Sequence, residues 1–337
     1  MTTPAPLPIL PHGWTLAASA FNWTPDVIRA QRTAAEISAD IVRSGVCGVI
    51  ELEPGHLWRS FPAPDDAEVD ALRAALDAAG GTVSMVGAAI DEWRPGGGRR
   101  DDDERLAFLL PQLRAAHRVG ARGVRLPIGQ AGPALLRRLQ PILADLDLVL
   151  YEEIQGPQAP QTPHVAPALE VIAALDDPRV RVLVDISMLM PAVPVTYLDR
   201  LDAAGNVFPE DLRARLRDGW LDPETPDAVR AFLAAGRVPP ELTALYMDLL
   251  VRFGRSHAAS LRELMPLIGA FHLKFWDLDD ADGRVSAPIR ELGALLRDTG
   301  FTGTLCSEWG GHAWLDADAS EMTRRHLALA RAALSAR

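Results

Sequence analysis

The 337-residue chain has only two cysteines, Cys47 and Cys306, each inside an apolar, strand-like run. They cannot build a disulfide framework and read as core thiols of a reducing cytosol. No apolar run approaches a membrane span of about 18 residues. Residues 1–11 are proline-rich and lack the charged-then-apolar pattern of a secretion signal, so a cytoplasmic protein without a membrane is expected. Positive charge is also short, with 34 Lys+Arg against 45 Asp+Glu and a net charge of −11. Such a surface has no diffuse attraction for phosphate backbones, which argues against a nucleic-acid partner. The pairs Arg99-Arg100, Arg137-Arg138 and Arg324-Arg325 alternate with carboxylates and read as solvated helix faces. No Gly-x-Gly-x-x-Gly follows the first strand, which speaks against an open dinucleotide-binding sheet.

What the chain does have is a repeating beat. Apolar strand-like runs at 16–21, 46–52, 83–90, 123–128, 146–153, 180–185, 268–275 and 303–308 alternate with helical periodicity at 22–45, 66–79, 105–119, 133–143, 166–175, 289–296 and 321–335. Near-continuous apolar strands belong to a parallel sheet buried on both faces, and eight such units close into a (β/α)8 TIM barrel. One domain over 1–337 is expected. The beat stops between 186 and 267, where helical periodicity and breakers occur without a convincing strand. That stretch reads as a helical insertion after strand six, a lid or a subunit interface.

The strand ends carry the chemistry. Strand five ends in Glu152-Glu153, strand six in Asp185, strand seven in His272 and strand eight in Glu308. The C-terminal ends of barrel strands are where ligands are handled, so these groups converge. Three carboxylates crowded around one imidazole repel unless a cation joins them. Oxygen ligands with one imidazole and no thiolate favour Mn²⁺ or Mg²⁺, and Co²⁺, Fe²⁺ and Zn²⁺ are also admitted. Glu152 and Glu153 project to opposite faces of their strand, and the sequence does not say which face lines the barrel. Glu153 is the choice, because Ile154-Gln155-Gly156-Pro157 follows it as a site-lining loop. Lys274, two residues after His272 on the same face, could donate a proton or stabilise an enolate. His312 and His164 are further candidates for proton transfer or contacts to substrate hydroxyls. Glu51, His56 and the tryptophans Trp23, Trp58, Trp93, Trp276, Trp309 and Trp314 lie at or just past strand ends, where aromatic faces can stack on a sugar or a flat aglycone.

This pattern resembles the xylose isomerase-like barrel superfamily of sugar isomerases and epimerases, over nearly the whole barrel. The resemblance implies a metal held by Glu153 (or Glu152), Asp185, His272 and Glu308, as in ketose 3-epimerases, with Glu153 and Glu308 also exchanging the substrate proton. The long insertion, the run Asp185-Ile186-Ser187-Met188-Leu189-Met190-Pro191 and the run Ser307-Glu308-Trp309-Gly310-Gly311-His312 are most similar to the α subunits of bacterial C-glycoside deglycosidases. That likeness implies a lyase that removes the C2 proton of a 3-oxo-C-glycoside and expels the aglycone, working with a small β subunit in a hetero-oligomer. Gln155, Trp309, Trp58 and His164 would then contact substrate. A sugar isomerase or ketose 3-epimerase would use the same enolate and return the proton on the other face. A phosphodiesterase acting on abasic DNA shares the fold, but it needs more histidines and a basic groove. A non-catalytic binding barrel would hold no metal.

Overall fold

The computed structural model describes residues 10, 11 and 13–336. The proline-rich residues 1–9 and the side chain of His56 lie outside the described residues. Strands β1 (Trp14–Ser19), β2 (Val49–Leu52), β3 (Thr82–Gly87), β4 (Gly123–Pro127), β5 (Val149–Ile154), β6 (Val180–Asp185), β7 (Ile268–Phe275) and β8 (Gly303–Trp309) run parallel in sequence order. β8 pairs with β1 and closes the barrel. Both faces of the strands are buried, as their apolar runs require: Val124, Leu150, Val182 and Leu305 are all fully buried beneath the helices.

The helices start and stop where local chemistry dictates. Helix Asp102–Val119 opens on a capping box, with Asp101 accepting from the Glu104 N–H and Glu104 from the Asp101 N–H, and ends at left-handed Gly120. The single helix expected over 22–45 is instead a 3-10 turn and two helices, Thr24–Arg29 and Ala34–Arg43. Ala30 adopts a left-handed backbone with φ 52°, and Thr33 and Glu36 form a new capping box that restarts the chain in another direction. The apolar periodicity runs through this break and hides it.

Side-chain alternation decides what fills the barrel. The Tyr151 ring lies inside it, pressed between Gly123 and Gly269; a Cβ on either glycine would come within 2.7 or 2.8 Å of the ring. Tyr151, Met85, Leu183 and Ala270 form an interior layer. The next inward residues along the same strands are Glu153, Asp185 and His272.

Between β6 and β7 the chain forms helices Val195–Ala203, Glu210–Asp218, Thr225–Ala234 and Thr243–Val251, and no strand. They share a core built on Tyr197, Phe208, Leu212, Trp220, Tyr246 and Phe253. Trp276, just past β7, belongs to that core and stacks on Trp314 at 5.5 Å. The flanks of the stretch differ: Ile186, Met188 and Leu189 at one end, and Leu261 and Leu264 at the other, pack into the main barrel core. No helix among the described residues is long and apolar enough to cross a membrane.

Candidate metal and active site

Glu153, Asp185, His272 and Glu308 point into the barrel from β5, β6, β7 and β8, and one potential ligand atom of each lies within 4.8 Å of the others. Pairing in register accounts for this: Asp185 faces His272, and Glu308 faces Lys274, on adjoining strands. All four are buried. The imidazole is oriented from behind. His272 Nε2 lies 2.9 Å from Glu51 Oε2 and donates its hydrogen to it, which turns Nδ1 to the cluster. Nδ1 comes within 2.9 Å of Glu153 and 3.1 Å of Glu308, yet neither it nor Asp185 Oδ2 makes a hydrogen bond among the described residues.

Glu51 is itself fixed by Arg125 on β4, whose Nε donates to it at 3.0 Å. The same guanidinium reaches Glu153 at 2.7 Å and Glu53. Burial and the neighbouring carboxylates push Glu53 up to about 7 in spite of that arginine. Lys274 Nζ lies 3.1 Å from Glu308 and 3.9 Å from Asp185, over the faces of Phe21 and Trp276 at 4.9 and 5.3 Å. Burial works against its charge, but those carboxylates outweigh burial and hold its pKa above the ordinary lysine range. Burial also opposes ionisation of Glu153 and Glu308. Arg125 and His272 overcome it for the first, Lys274 and His272 for the second, and both carboxyls stay below the usual range. Burial prevails at Asp185, whose carboxyl is raised.

A divalent cation fits these donors. The carboxyl groups Glu51, Glu53, Glu153, Asp185 and Glu308 outnumber the fixed cations Arg125 and Lys274, and this excess of acid holds the His272 imidazole well above its ordinary pKa against its burial. The two unmet buried atoms, His272 Nδ1 and Asp185 Oδ2, belong to the four ligand candidates. A second trio, Glu51, His272 and Cys306, lies behind the imidazole. There Glu51 is already engaged, and burial keeps the Cys306 thiol protonated and a poor ligand.

The structure separates the other sequence candidates. Glu152 projects from the outer face of β5, where its Oε2 accepts the Gly129 N–H at 2.8 Å, so Glu153 is the residue of that pair at the site. His164 lines a cavity with Glu152, away from the tetrad. Trp309 alternates with Glu308 and is fully buried against Phe275, its Nε1 donating to the Trp276 carbonyl. The expectation that it contacts substrate is therefore corrected: it packs between barrel and helices. Trp58 is likewise 3% exposed and sits in the core. Gln155 is exposed in the loop after β5, and the His312 ring packs 4.7 Å from Phe21 at the rim. Trp276 lines a recess together with Met190, Pro191, Pro194, Lys274 and Arg284, and Trp314 stacks on it. Arg125 escaped the sequence reading. Its signal was an arginine flanked by Val124 and Leu126 inside an apolar strand, a residue type that is buried only with partners.

The closed (β/α)8 barrel has the fold of the xylose isomerase-like TIM barrels, and it carries an acidic, one-histidine cluster at its strand ends. A D-psicose 3-epimerase determined in the presence of D-fructose superposes with a TM-score of 0.53 at 16% identity, covering 95% of this chain and 99% of its own. A 3-keto-D-glucoside 4-epimerase from E. coli gives 0.54 at 16% identity, over 94% and 98%. Identities this low speak for the fold alone. No protein-family model matches the chain. More particularly, the sequence is similar to the C-glycoside deglycosidase alpha subunit of Arthrobacter globiformis, 28% identical over 335 residues, 96% of this chain and 93% of that protein. The 3'-dehydrocarminate deglycosidase alpha subunit of a Microbacterium species is 28% identical over 300 residues, covering 83% and 84%.

Proposed function

We propose that the chain is the α subunit of a divalent-metal-dependent lyase that cleaves the C–C glycosidic bond of 3-oxo-C-glycosides. The observation that carries this reading is the tetrad Glu153, Asp185, His272 and Glu308 in a chain similar along 96% of its length to a deglycosidase subunit. A metal held by those four residues, Mn²⁺ foremost, would supply electrophilic polarisation of an oxo group and its neighbouring hydroxyl. The chain's own groups supply the rest. A carboxylate, Glu153 or Glu308, takes the proton from C2, next to the 3-oxo group. The Lys274 ammonium stabilises the negative charge that passes to the oxygen. The electron pair then forms the C1–C2 double bond as the C1–aglycone bond breaks, and the aglycone carbon takes the proton back from the carboxyl group that removed it from C2, which restores the carboxylate. The apolar recess beside Lys274, with Trp276 at its edge, suits a flat aglycone. Residues 186–194, which lead from β6 into the inserted helices, form one wall of that recess, which supports a covering role or a contact with a β subunit for the insertion. Two free cysteines support a cytoplasmic setting.

The test is an assay in deuterated water with added Mn²⁺, on a 3-oxo-C-glucoside and on a free ketose, with and without a small partner subunit. Aglycone release that disappears in Glu308→Gln is expected. Deuterium entering the ketose without cleavage would replace the lyase by an epimerase working through the same deprotonation. Neither reaction in metal-loaded protein would leave a non-catalytic barrel.

A further inference from the structure

The cavity that holds Glu152 takes no part in the chemistry above. It lies between helices Gly132–Asp145 and Ala166–Leu175, outside the barrel, and encloses about 210 Å³. Pro133, Leu136, Pro167, Ala168 and Val171 give it apolar walls, and the exposed His164 stands at its edge. Its one fully buried polar group is the Glu152 carboxylate. Oε2 is satisfied by the Gly129 N–H at 2.8 Å. Oε1 is buried and has no hydrogen-bond partner among the described residues. Burial raises the Glu152 carboxyl to about 7 against the pull of the Gly129 and Ala131 N–H groups. A buried carboxylate oxygen without a donor is costly, and the side chains of the apolar walls offer none.

We propose that this cavity binds a primary alkylammonium group, with an N–H meeting Glu152 Oε1 and the carbon chain lying along the apolar walls. The geometry selects among cations. A guanidinium binds a carboxylate best through both oxygens, and here Oε2 is already engaged, so a single-point donor fits and a fork does not. A metal ion needs several ligands, and Glu152 belongs to no cluster that could supply them among the described residues. The same chemistry has two sources: a free alkylamine, or a lysine side chain of a second chain.

The experiment follows NMR chemical shifts of the full-length protein at pH 8, where alkylamines are protonated. The titrants are n-butylammonium chloride, n-butanol and Nα-acetyl-lysine methylamide. The expected result is saturable binding of n-butylammonium, weakened about tenfold or more by Glu152→Gln. Ala168→Leu, which fills the cavity and keeps the carboxylate, should abolish it, and that variant carries the test alone if Glu152→Gln does not fold. Binding of n-butanol as tight as that of n-butylammonium, affinity unchanged in the variants, or no saturable binding to the wild type would each overturn the proposal. Given the expected result, lysine methylamide binding as well as n-butylammonium assigns the site to a side chain of a second chain; n-butylammonium binding alone assigns it to a free amine.

Discussion

Glu51 touches no substrate in the proposed reaction, yet it orients the one histidine of the tetrad. Its contacts to His272 Nε2 at 2.9 Å and Arg125 Nε at 3.0 Å make it a positioning residue. Glu51→Gln should lower Mn²⁺ affinity about 10–100-fold, read by metal titration of the stripped protein, with the circular dichroism spectrum unchanged. Removing Arg125 is a different insult, because it strands three carboxylates at once. Arg125→Met should cost about 3–5 kcal/mol in urea unfolding of the metal-free protein. At the far end of the chain, His326 is buried against Phe275, with Nδ1 2.8 Å from Ser307 Oγ. Burial holds its pKa down at about 3, against 6.5 in an open chain. Its depressed value means the unfolded state takes the proton first as pH falls below 6.5. The stability it contributes is therefore complete above that pH and drains away as pH falls toward 3. Unfolding free energy should drop by roughly 1–2 kcal/mol between pH 6.5 and 5, and His326→Leu should flatten that slope.

At the scale of elements, the barrel and its cluster were legible because each strand is an apolar run closed by a polar group. Asp185, His272 and Glu308 stand out against Val182, Phe271 and Leu305. Glu153 was harder, since Glu152 is its neighbour and only the closed barrel shows which face is inside. Arg125 and Glu51 were not recognised as a pair because their partnership spans 74 residues of sequence and needs β2 and β4 in place. Trp309 misled for the opposite reason: a tryptophan beside a candidate metal-binding carboxylate looks functional until alternation turns it outward. The break at Ala30 was hidden because a capping box is a four-residue signal inside a longer periodic one. The turn after β8 gives a prediction of its own. A Cβ on Gly311 would overlap the Trp276 carbonyl oxygen and crowd the Trp309 indole nitrogen. Backbone is in the way and cannot swing aside, so Gly311→Ala should destabilise by about 1–3 kcal/mol and loosen the mouth, visible as a lower melting temperature and a raised KM.

For the molecule as a whole, a cation held by the proposed tetrad would tie β5, β6, β7 and β8 together in the folded state alone. Chelation should lower the melting temperature. Restoring Mn²⁺ at a hundredfold excess over its Kd should return about 2.7 kcal/mol, and Asp185→Asn should lose most of that response. The relatives are named alpha subunits, so co-expression with a small second chain is the setting in which turnover is expected. The stacked pair Trp276 and Trp314 has a further consequence. These side chains come from the loops after β7 and β8, yet they complete the core of the helices inserted after β6. The inserted helices are thus not a portable module. A recombinant that exchanged residues 190–257 with those of a relative, and left 276 and 314 behind, would join two half-interfaces selected apart. The natural unit of exchange is discontinuous in the gene and continuous only in space.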